Sequence, residues 1–207
     1  MMPAETTRRP AYNPTIRLLD HLPDDRVDEA AALFLSALAD QLVPVYGVGP
    51  RARRALMCGF NRHMCITAVE NDRLVGILGI QTAADGFMDV TVNTLRPFYG
   101  TFGSLWRMAL LALLHYSPME DEAYIDGVAV MPAYRGRGVG AGLIAALETW
   151  ATGHGLSIIR LEVVGANPRA KKLYRCIGFE AVQEQTVWPV GSLFGFQSST
   201  VMVKTLI

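Results

Sequence analysis

Between residues 130 and 141 the chain reads Val-Met-Pro-Ala-Tyr-Arg-Gly-Arg-Gly-Val-Gly-Ala. Gly136, Gly138 and Gly140 remove the side chain at alternate positions, so backbone N–H groups can turn toward one point. A strand ending at Val130 and a helix starting near Gly140 put this turn at a helix N-terminus. Unpaired N–H donors and about half a positive charge there favour an anion, most often a phosphate. Arg135 and Arg137 add positive charge beside it. Two familiar phosphate loops do not fit. No Lys-Ser/Thr pair follows Gly140, as a Walker loop requires, and the three glycines do not have the Gly-x-Gly-x-x-Gly spacing of a dinucleotide site. Taken alone, the glycines also suit a flexible connector.

A second segment removes much of that ambiguity. Residues 167–179 read Asn-Pro-Arg-Ala-Lys-Lys-Leu-Tyr-Arg-Cys-Ile-Gly-Phe. Arg135, Gly138 and Gly140 give the spacing Arg-x-x-Gly-x-Gly, which resembles motif A of the GNAT superfamily of N-acetyltransferases. Residues 127–132 (Gly-Val-Ala-Val-Met-Pro) are similar to that family's strand and Val-x-Pro lead-in. Asn167, Ala170, Tyr174, Gly178 and Phe179 are similar to its Asn-x-x-Ala-x-x-x-Tyr-x-x-x-Gly-Phe segment. The blocks stand in the family's order, and the close resemblance, within residues 124–179, covers about a quarter of the chain.

The resemblance implies an α/β fold with a central splayed mixed sheet flanked by helices on both faces. It implies that strands 124–130 and 157–164 diverge, and that the slot between them takes the pantetheine arm of acetyl-CoA. Backbone groups of Val128, Ala129 and Val130 would pair with the arm like an added strand. The pyrophosphate would lie on the turn formed by Arg135, Gly136, Arg137, Gly138, Val139, Gly140 and Ala141. Asn167 before Pro168 is a strong helix-capping pair in its own right, with cofactor contact as an added role. Ala170, Leu173, Tyr174 and Ile177 fall at helical spacing, which suits a core tyrosine, whereas the family assigns this tyrosine as general acid. Arg169, Lys171 and Lys172 suit either the 3′-phosphate of the cofactor or a solvated basic face.

The implied reaction is direct attack of an amine on the thioester, with no acyl-enzyme and no metal. Cys176 is therefore structural. The amine must lose a proton; a lysine-like amine has a reference pKa near 10.4. Asp126, on the strand entering the turn, is the candidate base, and strand alternation puts it on the side of Val128 and Val130; a hydrogen-bonded strand aspartate with no chemistry is the alternative. Glu162 and Glu120 are further candidate bases. A backbone N–H near Val130 would stabilise the oxyanion, and Tyr174 would protonate the leaving thiolate.

The elements that position these residues follow from periodicity and punctuation. A loose tail (1–13) leads to a strand at 15–19. A helix runs from Asp24 or Asp25 to about Leu42, where Pro44 ends it. A second helix opens at Pro50 and reaches about Asn61. Strands 64–70 and 74–81 form a hairpin. Within residues 91–117, Leu105, Met108, Ala109, Ala112 and Leu113 suggest a helix with one buried apolar face. After the strand and turn come a helix (140–152), a strand (157–164), a helix (168–177) and two last strands (180–187 and 197–204). The expected architecture is a single domain over residues 1–207, one mixed sheet with helices on both faces.

Composition limits the partners. The 207 residues are 51% hydrophobic and 18% charged, with 19 basic and 19 acidic side chains. This excludes a disordered chain and disfavours nucleic acid, which calls for a basic excess; the low charged fraction agrees with a homodimer. The apolar run 108–114 is too short for a membrane span. No apolar run follows Arg8-Arg9, and the three cysteines make no paired framework, so a cytoplasmic protein without membrane association is expected. The acceptor, a small amine, should be bound outside the motif: by the helix after Ala30, residues 46–54, 96–116 and 188–196. Tyr46, Phe98, Tyr99, Trp106, Trp188, Phe194 and Phe196 lie there, and an uncharged aromatic wall would suit an apolar or aromatic amine. A protein or peptide acceptor and a non-catalytic acyl-CoA-binding module are the alternatives.

Overall fold

The computed structural model describes residues 15–165, 167–186, 194 and 198–206. The strands are β1 (Arg17–Leu19), β2 (Cys65–Glu70), β3 (Arg73–Gln81), β4 (Glu122–Val130), β5 (Ile158–Val164), β6 (Glu180–Thr186) and β7 (Ser198–Thr205). They form one mixed sheet in the order β1-β2-β3-β4-β5-β7-β6. Neighbours are antiparallel except β4 and β5, which run parallel and are connected through helix α5 (Val139–Gly153). A parallel pair needs such a crossover, whereas β2 and β3 need only the two-residue turn Asn71-Asp72, both at positive φ, as a type I′ hairpin requires.

The other helices are α1 (Val27–Ala37), α2 (Ala39–Tyr46), α3 (Pro50–Met57), α4 (Val92–Leu114) and α6 (Pro168–Cys176). Register shows which face each covers. Gly76 of β3 faces α5: a Cβ there would stand 3.0 Å from Val139 Cγ1. Gly127 of β4, paired with Gly79, faces α1: a Cβ would stand 2.8 Å from Phe34 Cζ. Beneath α1, Phe34, Phe60 and Phe87 pack together, with Phe60 and Phe87 stacked at 4.5 Å. The helices thus cover opposite faces, as expected.

Several boundaries differ from the sequence expectation. The first long helix breaks at Leu38 (φ −115°, ψ 33°) into α1 and α2. Pro44 lies inside α2 rather than ending it; the buried Val45 and Tyr46 hold the last turn, and Gly47 at φ 77° terminates it. Helix α3 stops at Met57, and Phe60 instead bridges to Met88. Helix α4 is interrupted at Gly100 (φ 68°). Beyond that break the face expected to be buried is open: Leu105 is 51% and Leu113 54% exposed, while Ser104 and Leu110 face inward. Periodicity detects the stripe, but not which side of α4 is turned inward. Among the described residues no helix is long and apolar enough to cross a membrane. The tail (1–13), Trp188 and Phe196 lie outside the described residues.

Candidate active site

The strand pair β4–β5 is hydrogen-bonded over only four rungs, Glu122↔Ile158 to Ile125↔Leu161. Past Ile125 the strands part. β4 stays paired with β3, and β5 with β7. One edge of residues 126–130 therefore faces an open slot. Met131 N–H donates to Val75 O on the β3 side. Amide direction alternates along an antiparallel strand, so Ala129 also turns toward β3, and Val128 and Val130 turn toward the slot. The Arg135 Nε donates to the slot-facing Val130 carbonyl at 3.1 Å.

The slot leads to the glycine-rich turn. Gly136 and Gly138 have φ 81° and 82°, which an L side chain adopts only with strain. Gly138 is the N-cap of α5 and brings no capping side chain. Arg135 N–H donates to Pro132 O and Arg137 N–H to Tyr134 O. The N–H groups of Gly136, Gly138, Val139, Gly140 and Ala141 have no acceptor among the described residues. Orphan donors beside a helix N-terminus are an anion cradle built by the backbone. From α6, the Arg169 guanidinium comes within 3.6 Å of where a Gly136 Cβ would stand, and Leu173 lies 3.5 Å from the corresponding point at Gly140. Asn167 caps α6, its Oδ1 accepting from Ala170 N–H at 3.0 Å. Lys171 does not join the cradle: its Nζ donates to Glu184 and Thr200. Lys172 is exposed, and Arg137 lies over the Tyr134 ring.

Tyr174 projects from α6 into the same cavity, nearly buried, with its ring 5.7 Å from Phe179. Burial pushes its phenol up to about 12, so it keeps its proton at neutral pH. Cys176 is exposed and lies away from the cavity lining.

Asp126 is placed differently from the expectation. Gly79 pairs with Gly127 but Ile80 pairs with Ile125, which makes Asp126 the extra residue of a β-bulge. Simple alternation fails here. Tyr124, Gly127 and Ala129 face α1, whereas Ile125, Val128 and Val130 face α5. Asp126 is electrostatically coupled to Tyr46 of α2 and to Tyr124, which puts it on the α1 side, opposite Val128 and Val130. Desolvation raises its carboxyl to about 6. Glu162, one residue past the last β4–β5 rung, is likewise coupled to Tyr124. Glu120 is exposed and outside the cavity lining. Deeper at the parallel end, the fully buried Glu122 pairs with Arg160 and accepts from the Tyr116 hydroxyl.

Slot and cradle belong to one cavity of about 1460 Å³. Its remaining walls include Phe34, Leu38 and Leu42 from α1 and α2, Met108 and Leu111 from α4, and the loop at 82–90. That loop carries no motif, and sequence reasoning missed it. The expected aromatic wall is absent among the described residues: Tyr46 and Phe194 are buried in the core, and Phe98, Tyr99 and Trp106 do not line the cavity. Segment 46–54 contributes nothing to it either. No group of three or more His, Cys, Asp or Glu that could hold a metal ion occurs among the described residues.

A strand pair that parts beside a row of orphan N–H donors leaves room for an extended, phosphate-bearing molecule. Comparison with known proteins makes this specific. The profile of the Acetyltransferase (GNAT) family matches residues 34–179, and the chain belongs to this family of N-acetyltransferases. Over 65 residues it is 35% identical to thialysine N-epsilon-acetyltransferase of Mus musculus, a match spanning 31% of this chain and 38% of that protein. Over 60 residues it is 32% identical to aminoglycoside N(6')-acetyltransferase type 1 of Salmonella typhimurium, covering 29% of this chain and 41% of that one. The matches thus span less than half of either relative. The fold is similar to that of Ard1 from Thermoplasma volcanium, at 13% identity and a TM-score of 0.61 over 93% of this chain and 99% of that one.

Proposed function

We propose that the protein transfers the acetyl group of acetyl-CoA directly to the amine of a small molecule. The observation that carries this reading is the continuity of the slot edge at Val128 and Val130 with the orphan N–H cradle of Gly136 to Ala141. The residues present fit the cosubstrate: the cradle and Arg169 suit its phosphates, and the slot-facing amides suit its pantetheine arm. The thioester supplies an activated acetyl group when bound.

The chain's own groups do the rest. Asp126 takes a proton from the acceptor nitrogen, whose lone pair then forms the new C–N bond at the carbonyl carbon. A slot-facing N–H of Val128 or Val130 donates to the carbonyl oxygen as it becomes negative. The C–S bond breaks with its electron pair on sulfur, and the Tyr174 hydroxyl gives that sulfur a proton. The nitrogen, which still carries one proton too many after attack, passes it through solvent to the Tyr174 phenolate, and Asp126 returns its own proton to solvent. No cysteine is acylated. Two partial relatives named for thialysine and an aminoglycoside support a small-molecule acceptor over a protein. Three unpaired cysteines support a reducing, cytoplasmic setting.

Calorimetric titration with acetyl-CoA tests the reading. Binding at one site per chain, weakened by Gly138→Ala, is expected. A folded protein that fails to bind acetyl-CoA at millimolar concentration refutes it.

A further inference from the structure

Among the described residues, five of the seven exposed large apolar side chains lie between residues 102 and 119. Four of them stand on α4 beyond its break at Gly100: Phe102 is 89% exposed, Trp106 63%, and Leu105 and Leu113 about half. With the exposed Ala109 they occupy positions i, i+3, i+4, i+7 and i+11, which share one side of a helix. The other side is already used. Ser104 and Leu110 are buried, and Met108 and Leu111 line the cavity. The stripe is a second apolar face of α4, turned outward.

Its area and its lack of charge select the occupant. Aromatic side chains offer about 150–250 Å² each, so with the two leucines the stripe presents about 500 Å² of apolar surface. One side of a standard protein interface covers about 800 Å², of which roughly 60% is apolar. The stripe supplies that apolar share by itself. From Gly100 to Met119 the only Lys, Arg, Asp or Glu is Arg107. Its guanidinium is turned onto the Tyr99 ring, 3.7 Å from the centroid, and donates to Gly103 O. A helix that lies on a lipid surface carries lysine or arginine along its polar face, and a charged protein partner calls for opposite charge here. A two-fold dimer instead presents one patch to its own copy, which requires a patch that does not repel itself. An uncharged stripe meets that condition. Ala109 lies near its midpoint, where a small side chain lets two helix axes approach closely.

We infer that α4 is the surface through which two copies of this chain associate. Residues 102–113 of each copy pack across a two-fold axis, with Phe102 and Trp106 as the main anchors. Leu113 also lines the cavity, so the interface borders it.

Sedimentation equilibrium of the full chain tests this. Twice the chain mass is expected at micromolar concentration. The dimer Kd should change little between low and high salt, because a contact without charges is not screened. Trp106→Glu sets a carboxylate in the middle of both stripes and should raise that Kd roughly 100-fold or more. Phe102→Glu should act the same way, so a folding defect in one variant does not mask the result. Both positions are exposed in the single chain, and the variants should keep the parent's far-ultraviolet circular dichroism. Val182→Glu alters a comparably exposed apolar side chain on β6 and should leave the dimer intact. A parent that stays monomeric up to millimolar concentration overturns the inference. So does a dimer that both glutamate variants of α4 leave unchanged, or one that Val182→Glu disrupts equally. Binding of a monomeric parent to phosphatidylcholine vesicles, lost in Trp106→Glu, would assign the stripe to lipid and overturn it as well.

Discussion

Asp126→Asn should make the protein more stable and less active, and both effects should depend on pH in a defined way. The Asp126 carboxyl is raised from 3.8 to about 6 by desolvation alone. The folded state therefore binds this proton more tightly than the unfolded state does. Between about pH 4 and 6, unfolding free energy falls as pH rises, and the penalty is complete above the folded-state value. At 1.36 kcal/mol per unit, the shift corresponds to about 3 kcal/mol. Asparagine has nearly the same shape and no charge, so it lacks this penalty. Urea unfolding of both proteins from pH 4 to 8 should show the variant more stable by up to about 3 kcal/mol above pH 7, with the difference vanishing near pH 4. Other titrating groups cancel in that difference. Turnover should fall by roughly 10²-fold or more, and the rise of kcat/KM through about pH 6 in the parent should disappear. A stability difference that does not change with pH would refute the desolvation argument. A variant that retains the limb near pH 6 would remove Asp126 as the base.

Tyr174→Phe should lower kcat by about 10²-fold with the acetyl-CoA Kd unchanged, because it deletes a proton donor and keeps the buried ring; thiol release and calorimetry together check this. Gly138→Ala forces a side chain onto a residue at φ 82° and should cost about 1–2 kcal/mol in urea unfolding, besides weakening acetyl-CoA. Glu122→Ala leaves Arg160 without its buried partner and should destabilise by roughly 3 kcal/mol, measured as a shift in the urea midpoint with unchanged slope.

The glycine-rich turn and the cap of α6 were legible in the sequence because their information is local. Positive φ at Gly136 and Gly138, the helix start at Val139 and the Asn167 cap each depend on neighbours within a few residues. The hairpin turn at Asn71-Asp72 was legible for the same reason. Contiguous residues that must bend the backbone one way leave a spacing that can be read directly.

The rest of the cavity lining depended on pairings between distant segments. A one-residue bulge against β3 moves Asp126 to the α1 face, and no feature of residues 122–130 taken alone announces it. Beyond Gly100, a stripe that periodicity assigns to the core is exposed. Tyr46 goes to the core, the motif-free loop at 82–90 reaches the cavity, and Lys171 is held by Glu184 and Thr200 from strands that follow it. By itself, then, the sequence determined the mixed sheet, the glycine-rich turn before α5 and the family. Tertiary structure decided which face Asp126 occupies and which side chains line the cavity. The physical reason is that backbone conformation is encoded by adjacent residues, whereas the face a side chain occupies depends on register with strands far away in the chain.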